Sequence, residues 1–184
     1  MPMPTTVRRY TVDDLAAFPD DGNRYELVDG VLLVTPGPSR PHQVVVARLG
    51  SALTRYLAPL SSQMVMCPGV VRVPPHDEMQ PDILVEPPRL GLDLPWTSVR
   101  GWWLAVEVSG KGSRIYDRDT KGPAYLALGL REYWRADLEE RAVFVSIPGG
   151  PEEVRQAERL VWQPPEMGTP LVIDVPGVFA DGPA

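Results

Sequence analysis

A mixed β-sheet flanked by helices, an α/β or α+β chain, is the fold class this sequence predicts, and three observations predict it. Tyr25-Glu26-Leu27-Val28 and Val31-Leu32-Leu33-Val34 flank Asp29-Gly30, the two-residue signal of a tight hairpin. Val45, Leu49, Ala52, Leu53, Tyr56, Leu57 and Leu60 recur at helical spacing. Trp102 to Val108 is a continuous apolar run broken only by Glu107, the pattern of a strand buried on both faces.

The elements follow in order. Thr11 ahead of Asp13 and Asp14 reads as the capped start of a short helix that ends at Pro19 and Asp20-Asp21-Gly22. The hairpin comes next, then a loop from Thr35 to Pro41. Ser39 is placed to cap the long amphipathic helix, read at about 42–58 and closed by Pro59. Val70 to Val73 and Pro81 to Val85 read as strands, and the proline-rich stretch 86–100 as a loop. After the apolar strand, 114–129 reads as a second helix, which Gly122-Pro123 should kink or delay. Glu132 to Ala136, Ala142 to Ile147 and Val154 to Trp162 read as three further strands, and Val172 to Phe179 closes the domain. No repeat or linker interrupts this order, so one domain is expected over 1–184, with its core at about 11–165.

Composition narrows the function. With 184 residues, 43% hydrophobic and 23% charged, the chain suits one hydrophobic core, and its 22 prolines fall between apolar runs as turn formers. No apolar stretch approaches the ~20 residues of a membrane span. The N-terminus has two arginines but no apolar core after them, so no secretory signal is read there and a cytoplasmic location is expected. Cys67 is alone and only His42 and His76 are present, which argues against a cysteine or histidine-rich metal site. A net charge of −6 argues against non-specific coating of nucleic acid, although residues 111–135 carry six basic residues against three acidic ones. That segment is either a local basic site or a solvated helix face.

Glu107 is the residue out of place. An ionised carboxylate inside a buried strand costs several kcal/mol unless it is paired or binds a metal. Asp82, beside Ile83-Leu84-Val85, poses the same problem. Two acids near the ends of adjacent strands could share one divalent cation; equally, each could sit at a strand end in solvent or in a salt bridge. Pattern alone leaves both readings open.

From Tyr25 to Ala136 the chain resembles the Uma2 (DUF820) family of the PD-(D/E)XK restriction-endonuclease-like superfamily. The matching pieces are YELVDGVLLV at 25–34, PSRPHQVVVARL at 38–49, PDILV at 81–85, LAVEVS at 104–109 and YDRDTKGPAYLALGLREYW at 116–134. The resemblance implies a restriction-endonuclease-like core in which Asp82, Glu107 and the Val108 carbonyl hold Mg²⁺ (or Mn²⁺). Glu26 would be a further ligand or orient water. The superfamily's lysine position two residues after the acid is Ser109 here, so the resemblance assigns the lysine's role, steadying the attacking water and the transition state, to Lys121. Lys111, in a Gly110-Lys111-Gly112-Ser113 turn unlike the family's, is the alternative.

Other signals carry less. Ser109 to Ser113 is not a phosphate-binding P-loop, since position 105 is Ala and Lys111 is followed by Gly112 rather than Ser or Thr, and no G-x-S-x-G nucleophile motif is present. His42 reads either as a phosphate ligand or proton carrier or as a structural residue. Trp102, Trp103 and Trp134 read as core aromatics rather than base-stacking platforms, and His76 as a surface loop residue. Two functions remain: a Mg²⁺-dependent endonuclease hydrolysing phosphodiester bonds in DNA, or a catalytically silent module acting in oligomeric interaction or nucleic-acid binding. The Trp102-Trp103 pair and the arm at 86–96 also suggest an exposed apolar surface, and with it a homodimer.

Overall fold

The computed structural model describes residues 8–61, 63–88 and 90–181. The first seven residues of the N-terminus read above lie outside them. The hairpin forms as expected: β1 (Arg24–Val28) pairs antiparallel with β2 (Val31–Thr35), and Asp29 and Gly30 take φ of 47° and 73°. Those left-handed values are what a two-residue hairpin turn requires and what Gly30 adopts without steric cost. The long helix α1 (Arg40–Leu57) starts where Ser39 Oγ accepts the His42 N–H, with Pro41 in its first turn. Its stripe Val45, Leu49, Leu53 and Leu57 is buried.

Four short strands follow: β3 (Val65–Met66), β4 (Val71–Val73), β5 (Asp77–Met79) and β6 (Ile83–Val85). Then come β7 (Leu104–Ser109), helix α2 (Arg114–Tyr116), a π turn at Asp117–Lys121, and helix α3 (Gly122–Ala127). The chain continues through β8 (Glu132–Asp137), β9 (Ala142–Ser146), β10 (Val154–Gln156), β11 (Arg159–Trp162) and β12 (Leu171–Asp174), and ends its described part in a helical turn, α4 (Val175–Val178).

Six strands form the central sheet in the order β10-β9-β8-β7-β6-β3, mixed because only β7 and β8 run parallel. One face is covered by α1, α4 and the β11-β12 pair, through Leu49, Leu53, Val106, Trp134, Leu160 and Phe179. The other is covered by α3 and a second sheet, β2-β1-β5-β4, through Val28, Val71, Leu84, Ala105, Tyr125 and Tyr133. Helices on both faces of a mixed sheet is the expected fold class. Among the described residues, no helix is long and apolar enough to cross a membrane.

Several boundaries differ from the sequence reading. The strand read from Val154 to Trp162 is two strands in different sheets, and the closing strand stops at Asp174, whose side chain caps the Gly177 N–H. The second helix is broken into α2, the π turn and α3. The Pro123 ring has no N–H to donate and would crowd the carbonyl four residues back, so the preceding turn widens. Gly122 is needed there because a Cβ would stand 2.9 Å from the Tyr133 ring. Trp102 and Trp103 are 0% and 3% exposed, so they supply core and not an exposed apolar surface. The dimer expectation loses that support; among the described residues of the arm only Leu92 and Leu94 stand out as exposed large apolar side chains. His76 is half-buried in the turn before β5, its Nδ1 2.9 Å from the Tyr10 carbonyl.

Candidate metal and phosphodiester site

The site forms where β6 begins and β7 ends. Ile83 pairs with Val106, so the register carried one residue further sets Asp82 opposite Glu107. Directly opposed residues of an antiparallel pair point to the same face. Here that is the face covered by β1 and α3, since Leu84 and Ala105, two residues away on each strand, belong to its core. The Val108 N–H donates to Asp82 Oδ2 at 2.8 Å. A strand residue's N–H and C=O point to one side, so the Val108 carbonyl also faces the edge ahead of the start of β6.

Lys121 reaches this face from the π turn and is 2% exposed. Its Nζ lies 3.0 Å from Glu107 Oε1 and 2.6 Å from Glu26 Oε2, the second an ion contact without hydrogen-bond alignment. Glu26, fully buried on β1, also accepts the Gln80 N–H at 2.7 Å. The Tyr125 hydroxyl donates to Glu107 Oε1 at 2.9 Å. Burial works against the Lys121 charge, but Glu107, Glu26 and Asp117 outweigh it and raise its proton affinity, so the ammonium persists.

The acids divide in two. Burial pushes the Glu107 carboxyl well above its ordinary range; Lys121 pulls it down, while Asp82, Asp117 and Glu26 push it further up. Asp117 is also raised, by burial first, although Lys121 and the Ser109 and Ser113 hydroxyls oppose it; Ser109 Oγ donates to its Oδ2 at 2.8 Å. Burial would raise Asp82 too, but His42, Arg24 and the Val108 N–H hold it below its ordinary value. His42 Nε2 is 2.9 Å from Asp82 Oδ2, and Arg24 Nη1 and Nη2 are 3.2 and 3.3 Å from Oδ1.

The structure therefore brings together the sequence-predicted Asp82, Glu107, Val108 and Lys121, which all line one open cavity of about 260 Å³. Glu26 lies behind it, reached through Lys121. Lys111 sits on the exposed rim and makes none of these contacts. Arg24, Asp117 and Tyr125 are site residues the sequence reading passed over, and His42 joins them through its contact with Asp82. One signal was available: Asp117, Lys121 and Tyr125 are spaced by four and share one helical face.

Among the described residues, no three His, Cys, Asp or Glu side chains form a ready-made metal cage. Two carboxylates and a main-chain carbonyl at an open cavity are instead an all-oxygen, incomplete set. That set fits Mg²⁺ or Mn²⁺; Mg²⁺ in particular keeps several waters and is held by one or two carboxylates with substrate phosphate.

A sequence model of the Uma2 family, described as "Putative restriction endonuclease", matches residues 12–175. No curated protein matches the chain. Among solved structures, one from Anabaena variabilis ATCC 29413, described as "a putative nuclease belonging to DUF820", superimposes with a TM-score of 0.73. It is 17% identical, over 92% of this chain and 97% of that one, a likeness of fold.

Proposed function

The chain belongs to the Uma2 family, and from that premise we propose that it is a metal-dependent endonuclease hydrolysing phosphodiester bonds in DNA. Asp82, Glu107 and the Val108 carbonyl would hold Mg²⁺ or Mn²⁺. The observation that carries this reading is the surplus of acid. Four carboxylates, of Glu26, Asp82, Glu107 and Asp117, face two permanent cations, Lys121 and Arg24, at the edge of an open cavity. Crowding them in a buried site raises the Glu107 and Asp117 carboxyls toward the neutral form, and a bound cation would offset that cost and let both ionise.

Bound there, the cation would supply Lewis-acid stabilisation of the phosphate and water of lowered pKa. Lys121 stays protonated between Glu26 and Glu107, so it is a fixed positive donor toward water or a phosphoryl oxygen and not a proton acceptor. Tyr125 and Lys121 together hold Glu107 Oε1 in place.

Incubation of supercoiled plasmid and single-stranded DNA with Mg²⁺ or Mn²⁺ tests the proposal. Cleavage that EDTA abolishes and Glu107→Gln lacks is the expected result. Intact DNA with both metals at high enzyme concentration would overturn it.

A further inference from the structure

The Asp82 carboxylate is already saturated with donors. An ionised carboxylate offers about four lone-pair positions. Four N–H groups occupy them: Nη1 and Nη2 of Arg24 on Oδ1, and His42 Nε2 with the Val108 N–H on Oδ2. For Asp82 to ligate a cation, one donor has to leave. The Val108 amide is fixed in β7, and His42 is anchored in the first turn of α1. The two Arg24 contacts are the longest of the four, at 3.2 and 3.3 Å, and its side chain is 24% exposed.

We infer that Arg24 is an exchangeable guanidinium, which caps Asp82 Oδ1 before a divalent cation is held there and binds a phosphate oxygen of the substrate afterwards. The inference rests on the metal-dependent reading above and adds a substrate-binding residue to it. Three features support the exchange. Arg24 is held against Asp82 Oδ1 by charge at 3.2 and 3.3 Å, so a cation shared by Asp82 and Glu107 would weaken that pull at its source. Its Nη1 also donates to the Gln80 carbonyl at 2.8 Å, an anchor that does not depend on Asp82. Finally, Arg24 stands with Pro36, Gly37 and Pro38 at the junction of the catalytic cavity and a second, adjoining cleft of about 780 Å³. A strand crossing from one to the other passes Arg24, whose planar fork matches two phosphate oxygens.

Calorimetric titration of Mn²⁺ into the wild type, Arg24→Gln and Arg24→Lys is the test, paired with binding of a fluorescent DNA oligonucleotide in Ca²⁺. Arg24→Gln keeps a donor for the Gln80 carbonyl, and circular dichroism checks that each variant is folded. Arg24→Gln is expected to bind Mn²⁺ about tenfold tighter and DNA about tenfold weaker, the scale of one charged hydrogen bond in each direction. A merely structural role would weaken both. Arg24→Lys, with one point charge in place of the fork, is expected to fall between. Wild-type binding of Mn²⁺ with equal or weaker binding by Arg24→Gln overturns the cap alone, and unchanged DNA affinity overturns the phosphate role. If neither protein binds Mn²⁺, the metal-dependent reading falls and this inference with it.

Discussion

Glu107 and Arg135 are register partners on the parallel strands β7 and β8, and each is the centre of a buried charge cluster. Around Arg135 the charges balance. Its guanidinium takes Glu153 through Nε and Nη2, both at 2.8 Å, and Asp137 through Nη1 at 2.7 Å. Arg114 adds bonds of 2.6 and 2.7 Å to Asp137, and the Glu139 and Glu140 N–H groups each donate to it at 3.0 Å. Burial would raise the Asp137 carboxyl, but Arg114, the Glu140 N–H and Arg135 outweigh it and lower it to about 2. Around Glu107 acids outnumber cations, and the Glu107 and Asp117 carboxyls are raised. The two clusters share burial and strand neighbourhood. They differ in whether cations match the acids in number, and that difference is what the proposed cation site rests on.

Substitutions can break this contrast. The largest expected effect is at Lys121. Lys121→Ala leaves Glu26 and Glu107 buried and facing each other, and should cost about 3–5 kcal/mol in urea unfolding. The family resemblance assigns Lys121 to the reaction; its two ion contacts make it a counter-ion of the fold as well, so activity lost in Lys121→Ala must be measured on protein shown to be folded.

In the balanced cluster, Asp137→Asn should cost about 3 kcal/mol, because Arg114 and Arg135 each lose a charged acceptor. Glu107→Gln should carry the opposite sign, with stability unchanged or raised by about 1 kcal/mol at neutral pH in the metal-free protein. If both variants destabilise equally, the distinction between the clusters fails.

Acid titration sharpens the same point. Asp137 is depressed in the folded state, so its contribution is full above its ordinary 3.8 and is lost as pH falls toward about 2. Glu107 is raised, so its contribution is full below its ordinary 4.5 and is lost as pH rises above it. Stability against pH should therefore fall more steeply between pH 4 and 2 in the wild type than in Asp137→Asn. Glu107→Gln should remove a decline on the other side, above pH 4.5. Lys111→Ala, at the exposed rim, should change stability by no more than about 0.5 kcal/mol.

What the sequence made legible were features with strong local causes. Asp29-Gly30 specified its hairpin, Ser39 and the leucine stripe specified α1, and an acid inside LAVEVS marked the centre of the site. β3 and β5 went unread because two or three residues carry no period, and Asp77-Glu78 opposes strand propensity. Glu78 is buried nevertheless, paired at 2.5 Å with Arg72, its register partner across the β4-β5 hairpin, a contact that exists only once that hairpin has formed. Arg24 reads as an ordinary strand-end arginine until the loop at Gln80 to Asp82, more than fifty residues away, folds against it. Asp117 lies in YDRDTK, which reads as a solvated helix face; the widened turn before Pro123 places it in the cavity wall.

The central claim, that Asp82 and Glu107 are ligands of one divalent cation, is tested most directly by a crystal structure of the protein soaked in Mn²⁺. An anomalous peak between the two carboxylates, within reach of the Val108 carbonyl at about 2.0–2.6 Å, is the expected result. A saturating soak that leaves this position without a peak, or that places Mn²⁺ elsewhere on the molecule, would contradict it.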